Sequence, residues 1–395
     1  MTSNTASSSV RKICVVTGNQ ADYTRCRTVM RAIDRDPRLE LQTVVTGAHL
    51  LRRHGYTVDL IVDDGFTIDE KIYQIIEGEN PTAMARSIGL GICDLATCFE
   101  RLRPDVAVVP GDRFEALSAA IAASAMNIPV AHIQGGEVTG SFDESIRHAI
   151  TKLSHIHFPA TEDARKKIIA MGENPDFVFN VGCPGTDSVL EVTGLNRKQF
   201  AEELKLLWKN EPLFCEDEPF LLLVQHPVTT QFEEQEEQIL KTLDAVFRTN
   251  LYTICFWPNV DAGAGQIVEK IRVFSRRNGA HGRYFTLNLL SPLIFVNMMR
   301  HAACMVGNSS AGIRETCYLG TPVVNVGIRQ QRRERGHNVV DSPNDSESIY
   351  RAIMAQVEHG RYEPTPIYGD GRAGEKVAET LAEITLPSIQ KVLQC

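Results

Sequence analysis

Short β-branched and apolar runs alternate with 3.6-period stretches along this chain, and that alternation restricts it to parallel sheets wrapped by helices. In the first half the strand-like runs are residues 12–17, 40–46, 105–110, 130–133, 156–160 and 177–181, with helical patterns at about 22–33, 81–101, 113–126, 143–154 and 162–171. A polar, Gly- and charge-rich passage, 182–218, interrupts the rhythm. It restarts with strand-like runs at 220–225, 252–257, 283–286, 304–307, 322–325 and 338–340, again separated by helices. The pattern predicts an α/β protein of two Rossmann-like doubly wound domains. The expected limits are a disordered tail at 1–10, a first domain at 11–184, a second at 185–374, and a final helix at 375–395 that crosses back onto the first.

A length of 395 residues with 43% hydrophobic content is enough for two cores. The net charge of −8 argues against a broad nucleic-acid or anionic-membrane surface, so any polyanionic ligand must be held by a local site. A nucleotide fits that description. The ten cysteines are scattered, with no C-x-x-C pair and no paired Cys/His pattern, so neither a metal site nor a disulfide framework is expected. The Ser/Thr-rich start lacks the apolar segment of a signal peptide, and a cytoplasmic location is the expectation. The most apolar long window, 116–131, contains Ser, Asn and Pro and reads as helix, turn and strand, not as a membrane span.

Ligands of doubly wound folds bind beyond the carboxyl ends of the strands, and the polar motifs of this chain lie there. Gly307-Asn308-Ser309-Ser310-Ala311-Gly312-Ile313-Arg314-Glu315 follows an apolar run and opens a helical pattern. It reads as a phosphate cradle, with small residues for close backbone approach, serine hydroxyls as donors, and Glu315 placed for a ribose diol. A plain turn with an N-cap serine is the competing reading. The first βα turn, Thr17-Gly18-Asn19-Gln20-Ala21-Asp22, lacks the G-x-G-x-x-G fingerprint, so a bound dinucleotide is not supported. Gly111-Asp112-Arg113 delivers an acid and a guanidinium after the third strand, or alternatively an N-cap and a solvent-facing arginine. His132-Ile133-Gln134-Gly135-Gly136-Glu137 leaves the fourth strand with more polar groups than stability alone favours. Asp143 and Glu144 open the next helix, where they match the dipole or join Asp112 and Glu137 as candidate acids and bases. In the second half His226 ends one strand, Trp257-Pro258-Asn259-Val260-Asp261 the next, and Gly327-Ile328-Arg329-Gln330 supplies a cation. Arg332, Arg333 and Arg335 read equally well as a solvated face.

Gly111-Asp112-Arg113, Gly135-Gly136-Glu137, Asp143-Glu144-x-x-Arg147-His148, His226-Pro227-Val228-Thr229-Thr230, Pro258-Asn259-x-Asp261, Gly307-Asn308-Ser309-Ser310 and Gly327-x-Arg329-Gln330, in this order from about residue 12 to 371, closely resemble the hydrolysing UDP-N-acetylglucosamine 2-epimerases, including the epimerase half of the animal epimerase/kinase. The resemblance implies the GT-B fold, a UDP-sugar substrate, no cofactor, and a homodimer or homotetramer. It implies a base that removes the C2 proton while UDP leaves C1, then hydration of the resulting 2-acetamidoglucal to N-acetylmannosamine. Asp112, Glu137, Asp143 and Glu144 form the implied pool of acids and bases, with Asp112 and Asp143 foremost. His226 would touch phosphate or protonate the leaving group. Gln20, Thr24, Arg113, Asn259, Ser309, Ser310, Glu315, Arg329 and the backbone at Leu290 would hold the nucleotide. Two positions depart from the pattern: Gln20 replaces an arginine of many relatives, and Gln134 replaces a glutamate of the animal and non-hydrolysing ones. The same chemistry on UDP-N,N′-diacetylbacillosamine, a GT-B glycosyltransferase, and a silent UDP-sugar sensor are the alternatives.

Overall fold

The computed structural model describes residues 10–78, 80–140, 142–207, 218–258, 261–278, 283–287 and 291–394. In the first half the chain runs β1 (Arg11–Thr17), α1 (Gln20–Arg35), β2 (Leu39–Thr46), α2 (Val58–Asp63), β3 (Glu70–Ile72), α3 (Pro81–Leu102), β4 (Val106–Pro110), α4 (Phe114–Ala125), β5 (Val130–Ile133), α5 (Phe142–Leu153), β6 (Ile156–Phe158) and α6 (Glu162–Ala170). After α7 (Pro184–Glu191) and α8 (Arg197–Leu207) come β7 (Phe220–Val224), α9 (Gln235–Arg248), β8 (Tyr252–Phe256), α10 (Ala264–Asn278), β9 (Tyr284–Leu287), α11 (Pro292–His301), β10 (Cys304–Gly307), α12 (Glu315–Leu319), β11 (Val323–Val326), β12 (Val339–Ser342), α13 (Ser346–His359) and α14 (Ala373–Glu383). Helix starts follow local chemistry: Asn19 caps α1, Asn80 caps α3 ahead of Pro81, and Ser291 caps α11 ahead of Pro292.

All strand pairs are parallel, in the orders β3-β2-β1-β4-β5-β6 and β12-β11-β10-β7-β8-β9. Central strands such as β4 and β7 are buried along their whole length because helices cover both faces, which is why they read as continuous apolar runs. The direction in which successive strands are added reverses between β1 and β4 and between β7 and β10. Two crevices therefore open at Thr17/Pro110 and at Val224/Gly307, and they face one cleft. The observed fold class is the expected one, two Rossmann-like domains in the GT-B arrangement.

The sequence pattern omits α2, α7 and α8, and it differs from the structure at three further elements. β3 is an edge strand of three residues, too short for a period to register. Residues 177–181 form no strand; a single parallel bridge joins His157 to Val178. The ladder stops there because the next donor on the β6 side would be Pro159, which has no N–H. The terminal helix covers Ala373–Glu383, not 375–395, because Pro387 disfavours helical dihedrals at Leu386. Beyond it the chain runs along the first domain, where the Lys391 ammonium pairs with Glu173 at 2.6 Å and the Gln394 N–H donates to the Gly172 carbonyl at 3.0 Å.

α14 lies on α1, and Val377, Ala378 and Leu381 join the core that contains Val29, Met30 and Ile33. Close approach requires Gly374, whose added Cβ would lie 2.6 Å from the Thr28 carbonyl carbon. If α14 completes the first-domain core, Leu381→Ala should cost about 2–5 kcal/mol. Denaturant unfolding checks this, and an unchanged midpoint would count against that role.

Candidate functional site

A cavity of about 260 Å³ lies between the two crevices. Its second-domain wall begins at Gly307, whose φ of +123° and whose approach to the Val224 carbonyl exclude a side chain: an added Cβ would sit 2.2 Å from that oxygen. The Asn308 side chain ties the two strand ends together, accepting from the His226 N–H at 2.7 Å and donating to the His226 carbonyl at 2.9 Å. Ser309 then caps a single 3-10 turn, Ser310–Gly312, and α12 spans only Glu315–Leu319. The helix anticipated directly after the serines is thus brief, and positive charge at this end comes mainly from side chains. Arg329 donates to the Asn308 carbonyl at 3.1 Å, and Arg25 reaches across from α1 to donate to the Ser310 hydroxyl at 3.4 Å.

The first-domain wall carries Gln20, Thr24, Asp112 and Arg113, and the opposite wall His226, Ser309, Ser310, Glu315 and Arg329. These nine predicted residues meet in one cavity. Asn259 and Leu290 lie outside the described residues; Phe256, Trp257, Pro258 and Phe295 line the second-domain side of the cavity. Gln134 is not in the cavity wall. It sits at φ +65°, buried, with its amide donating to the Cys183 sulfur at 2.8 Å. Glu144 is also outside the wall, accepting from the Thr139 N–H at 2.7 Å. Glu137 is enclosed between Arg314 at 2.5 Å and Arg333 at 3.0 Å. Asp143 connects to the cavity through Arg329, 3.4 Å away.

The carboxyl groups sit in different electrostatic environments. Burial alone would raise the Asp112 pKa, but Arg147, Arg25 and Arg333 hold it well below the usual carboxylate range. Glu137 is likewise drawn down to about 2, as Arg314, Arg333 and Arg147 outweigh burial. Burial raises Asp143, with Asp112 and Asp261 adding to the shift and Arg329 opposing it. Burial also raises Glu315 and lowers His226 well below the usual range, with Arg329 and Arg113 reinforcing the latter. His226 is therefore neutral at pH 7.

Several residues of this site carry no assigned role from sequence. Asp22 ends the first βα turn and Arg25 lies on α1; both line the cavity, and burial pushes Asp22 up to about 6. Arg333, read equally as solvated, is 5% exposed and binds Glu137. Arg147 is wholly buried, donates to the Glu137 carbonyl at 2.8 Å, and contacts Asp112. Glu115 lies beneath the floor, 3.6 Å from the Arg113 guanidinium, with neither carboxyl oxygen hydrogen-bonded among the described residues. Among the described residues no group of three or more His, Cys, Asp or Glu side chains could hold a metal ion. None of the described helices is long and apolar enough to cross a membrane.

Fold and cleft together define a GT-B protein whose cavity sets serine, histidine and arginine side chains of one domain against carboxylates of the other. The chain belongs to the UDP-N-acetylglucosamine 2-epimerase family, whose model matches residues 31–382. It is 36% identical over 379 residues to the UDP-N,N′-diacetylbacillosamine 2-epimerase (hydrolyzing) of Legionella pneumophila, covering 96% of this chain and 97% of that protein. It is 29% identical to the UDP-N-acetylglucosamine 2-epimerase of Neisseria meningitidis, over 94% of this chain and 95% of the relative. Among solved structures, the Methanocaldococcus jannaschii UDP-GlcNAc 2-epimerase in complex with UDP-GlcNAc and UDP has a TM-score of 0.77 at 17% identity, covering 94% of this chain and 99% of that one.

Burial pushes the Glu115 carboxyl up to about 8, against the pull of Arg113. Between the ordinary carboxylate range and pH 8 the folded chain therefore holds a proton that the unfolded chain releases, and stability falls as pH rises through that window. Glu115→Gln removes this dependence. The melting temperature of the variant relative to the native protein should rise by about 2 °C or more from pH 5 to pH 8. An equal difference at both values would rule out a protonated Glu115.

Proposed function

We propose that this protein is a hydrolysing UDP-N-acetylglucosamine 2-epimerase, converting UDP-GlcNAc and water to N-acetylmannosamine and UDP and so feeding sialic-acid-type sugar biosynthesis. One observation carries the reading: the Arg25 guanidinium lies 3.4 Å from the Ser310 hydroxyl and 3.9 Å from Asp112, so one cation links the diphosphate cradle to a carboxylate. Arg25, one turn beyond Gln20 on the same helix, supplies the positive charge that Gln20 lacks.

In this reading the diphosphate lies against Ser309, Ser310, Arg25 and Arg329, with neutral His226 donating a hydrogen bond. Glu315 faces the ribose, and Trp257 and Phe295 flank the base. The C2–H of a hexosamine is not acidic, so stabilising the departing UDP must supply much of the rate. Ionised Asp112 accepts the C2 proton as the C1–O bond breaks, giving the 2-acetamidoglucal. Asp143, with its raised proton affinity, supports the second step, in which water adds its hydroxyl at C1 and a proton returns to C2 from the opposite face. Two carboxyls pushed apart in pKa suit such a division of labour. Glu137, locked between two arginines, positions the domains, and Gln134, turned to Cys183, leaves the proton chemistry to the aspartates. The similarity to the Legionella enzyme favours a second reading, the same chemistry on UDP-N,N′-diacetylbacillosamine.

A cytoplasmic setting, where thiols stay reduced, suits the eight free cysteines among the described residues. Assembly as a dimer or tetramer would cover exposed Tyr73, Ile76 and Leu90 beside and on α3. Sedimentation should then give more than the mass of one chain; a monomer at micromolar concentration would refute it.

Proton NMR with UDP-GlcNAc in deuterated water tests the reaction. The expected products are UDP and N-acetylmannosamine deuterated at C2, and unchanged UDP-GlcNAc would sink the reading for that substrate. Asp112→Asn should lower kcat by about 10²-fold or more while leaving UDP affinity within a few-fold. Ser310→Ala should instead weaken UDP binding by about tenfold. Calorimetry separates the two, and the reverse pattern would overturn the assigned roles.

A further inference from the structure

One face of α5 touches both aspartates of the proposed reaction. Asp143, Arg147 and Thr151 follow one another at four-residue spacing and so lie on one side of the helix. Asp143 meets Arg329 at 3.4 Å. Wholly buried Arg147 contacts Asp112 and donates to the Glu137 carbonyl at 2.8 Å. Thr151 meets buried His132 at 3.1 Å, and the other ring nitrogen of His132 donates to the Gly111 carbonyl at 2.7 Å. A slide or tilt of this one helix therefore moves Asp143 together with the groups that hold the Asp112 turn.

The far end of α5, about 14 Å along the axis from Asp143, is held by a residue remote in sequence. The Lys391 ammonium donates to the Lys152 carbonyl at 2.8 Å and to the Ser154 carbonyl, and pairs with Glu173 at 2.6 Å. Carbonyls at the end of a helix lack intrahelical partners, and a cation there also offsets the negative end of the dipole. Glu173 is 2% exposed and also takes the Lys152 ammonium at 2.6 Å and His157 at 3.1 Å. Burial would raise its pKa, but His157, Lys152 and Lys391 hold it down to about 2, so an ionised carboxylate ties α5 and β6 to the 389–394 segment.

That segment contains no helix or strand, yet it is seated at three further points. His155 accepts from the Val130 N–H at 3.3 Å through Nδ1, which leaves Nε2 protonated to donate to the Ile389 carbonyl at 3.2 Å. The Gln394 N–H donates to the Gly172 carbonyl at 3.0 Å. Gly172, at φ +85°, makes room for Leu393, whose Cδ1 would lie 2.3 Å from an added Cβ. Val130 and Ile156 begin β5 and β6, so these anchors lie at the amino ends of the strands, opposite the cleft, and none of them lines the cavity.

We infer that residues 389–394 are a strap that positions α5 from behind, with Lys391 as its positioning residue, and that through Arg147 and Thr151 the strap sets where Asp112 and Asp143 stand for proton transfer. The kinetic consequence rests on the reaction proposed above; the restraint on the helix rests on the contacts alone.

The test uses the full chain with Lys391→Met, which removes the ammonium and keeps the stem, and Lys391→Arg, which keeps the charge and donors. Well below each unfolding midpoint, Lys391→Met should lower kcat for UDP-GlcNAc about tenfold or more with UDP affinity within about twofold, and Lys391→Arg should recover kcat to within about threefold. Hydrogen exchange read by mass spectrometry should be about tenfold or more faster across 142–153 in Lys391→Met and unchanged across α4. Should Lys391→Met fail to fold, Glu173→Gln loosens the same tie and is read in both ways. Native exchange across α5 would overturn the strap, and so would equal acceleration in α4, the mark of general destabilisation. Faster α5 exchange with native kcat would overturn the positioning role. If the native protein leaves UDP-GlcNAc unchanged, the reaction reading fails by itself, while the exchange of α5 against α4 still decides the strap.

Discussion

The two halves of this molecule close on one carboxylate. Glu137, at the end of a first-domain loop, lies between Arg314 and Arg333 of the second domain, with all three side chains buried. Desolvating such ions costs several kcal/mol each unless they are paired. Closure of the cleft and satisfaction of these charges are therefore one event. The crowding shows in Arg333, whose pKa burial and Arg314 push down to about 9. Arg147 carries the constraint inward, since it holds the Glu137 carbonyl with one nitrogen and Asp112 with another.

That arrangement lets carboxyl groups in one cleft hold protons differently. Asp112, ringed by guanidinium groups, stays ionised, while Asp143, Asp22 and Glu115 have more burial than compensation and shift upward. Although the chain is net negative, its cations are concentrated at the seam, where Arg25, Arg113 and Arg329 line the cavity. Arg113 already pairs with Asp261 across the cleft, and a diphosphate would compete with that carboxylate for the same guanidinium.

Most strands were legible because a strand buried on both faces must be apolar throughout. Edge elements were not: β3 has three residues, and the 177–181 run has strand composition but forms only one bridge, at His157, with a single further hydrogen bond from the Val181 N–H to the Pro159 carbonyl. The Gly307–Ser310 and Asp112 turns were legible as candidate site segments because glycines and polar groups leaving a buried strand need a reason beyond stability. Roles that depend on orientation were hidden. Gln134 stands in a motif that points to the cavity, but its left-handed backbone turns the amide to Cys183. Arg25 and Arg333 look like surface residues in sequence, since nothing local says that another domain will cover them.

The sequence by itself determined the elements and the chemistry at their ends, because periodicity and turn composition act over a few residues. Only the tertiary structure decided which charges meet. Arg25 is 285 positions from Ser310, and Arg314 is 177 from Glu137. Such contacts form when two sheets are brought face to face, and the burial that follows sets whether each carboxyl keeps or releases its proton.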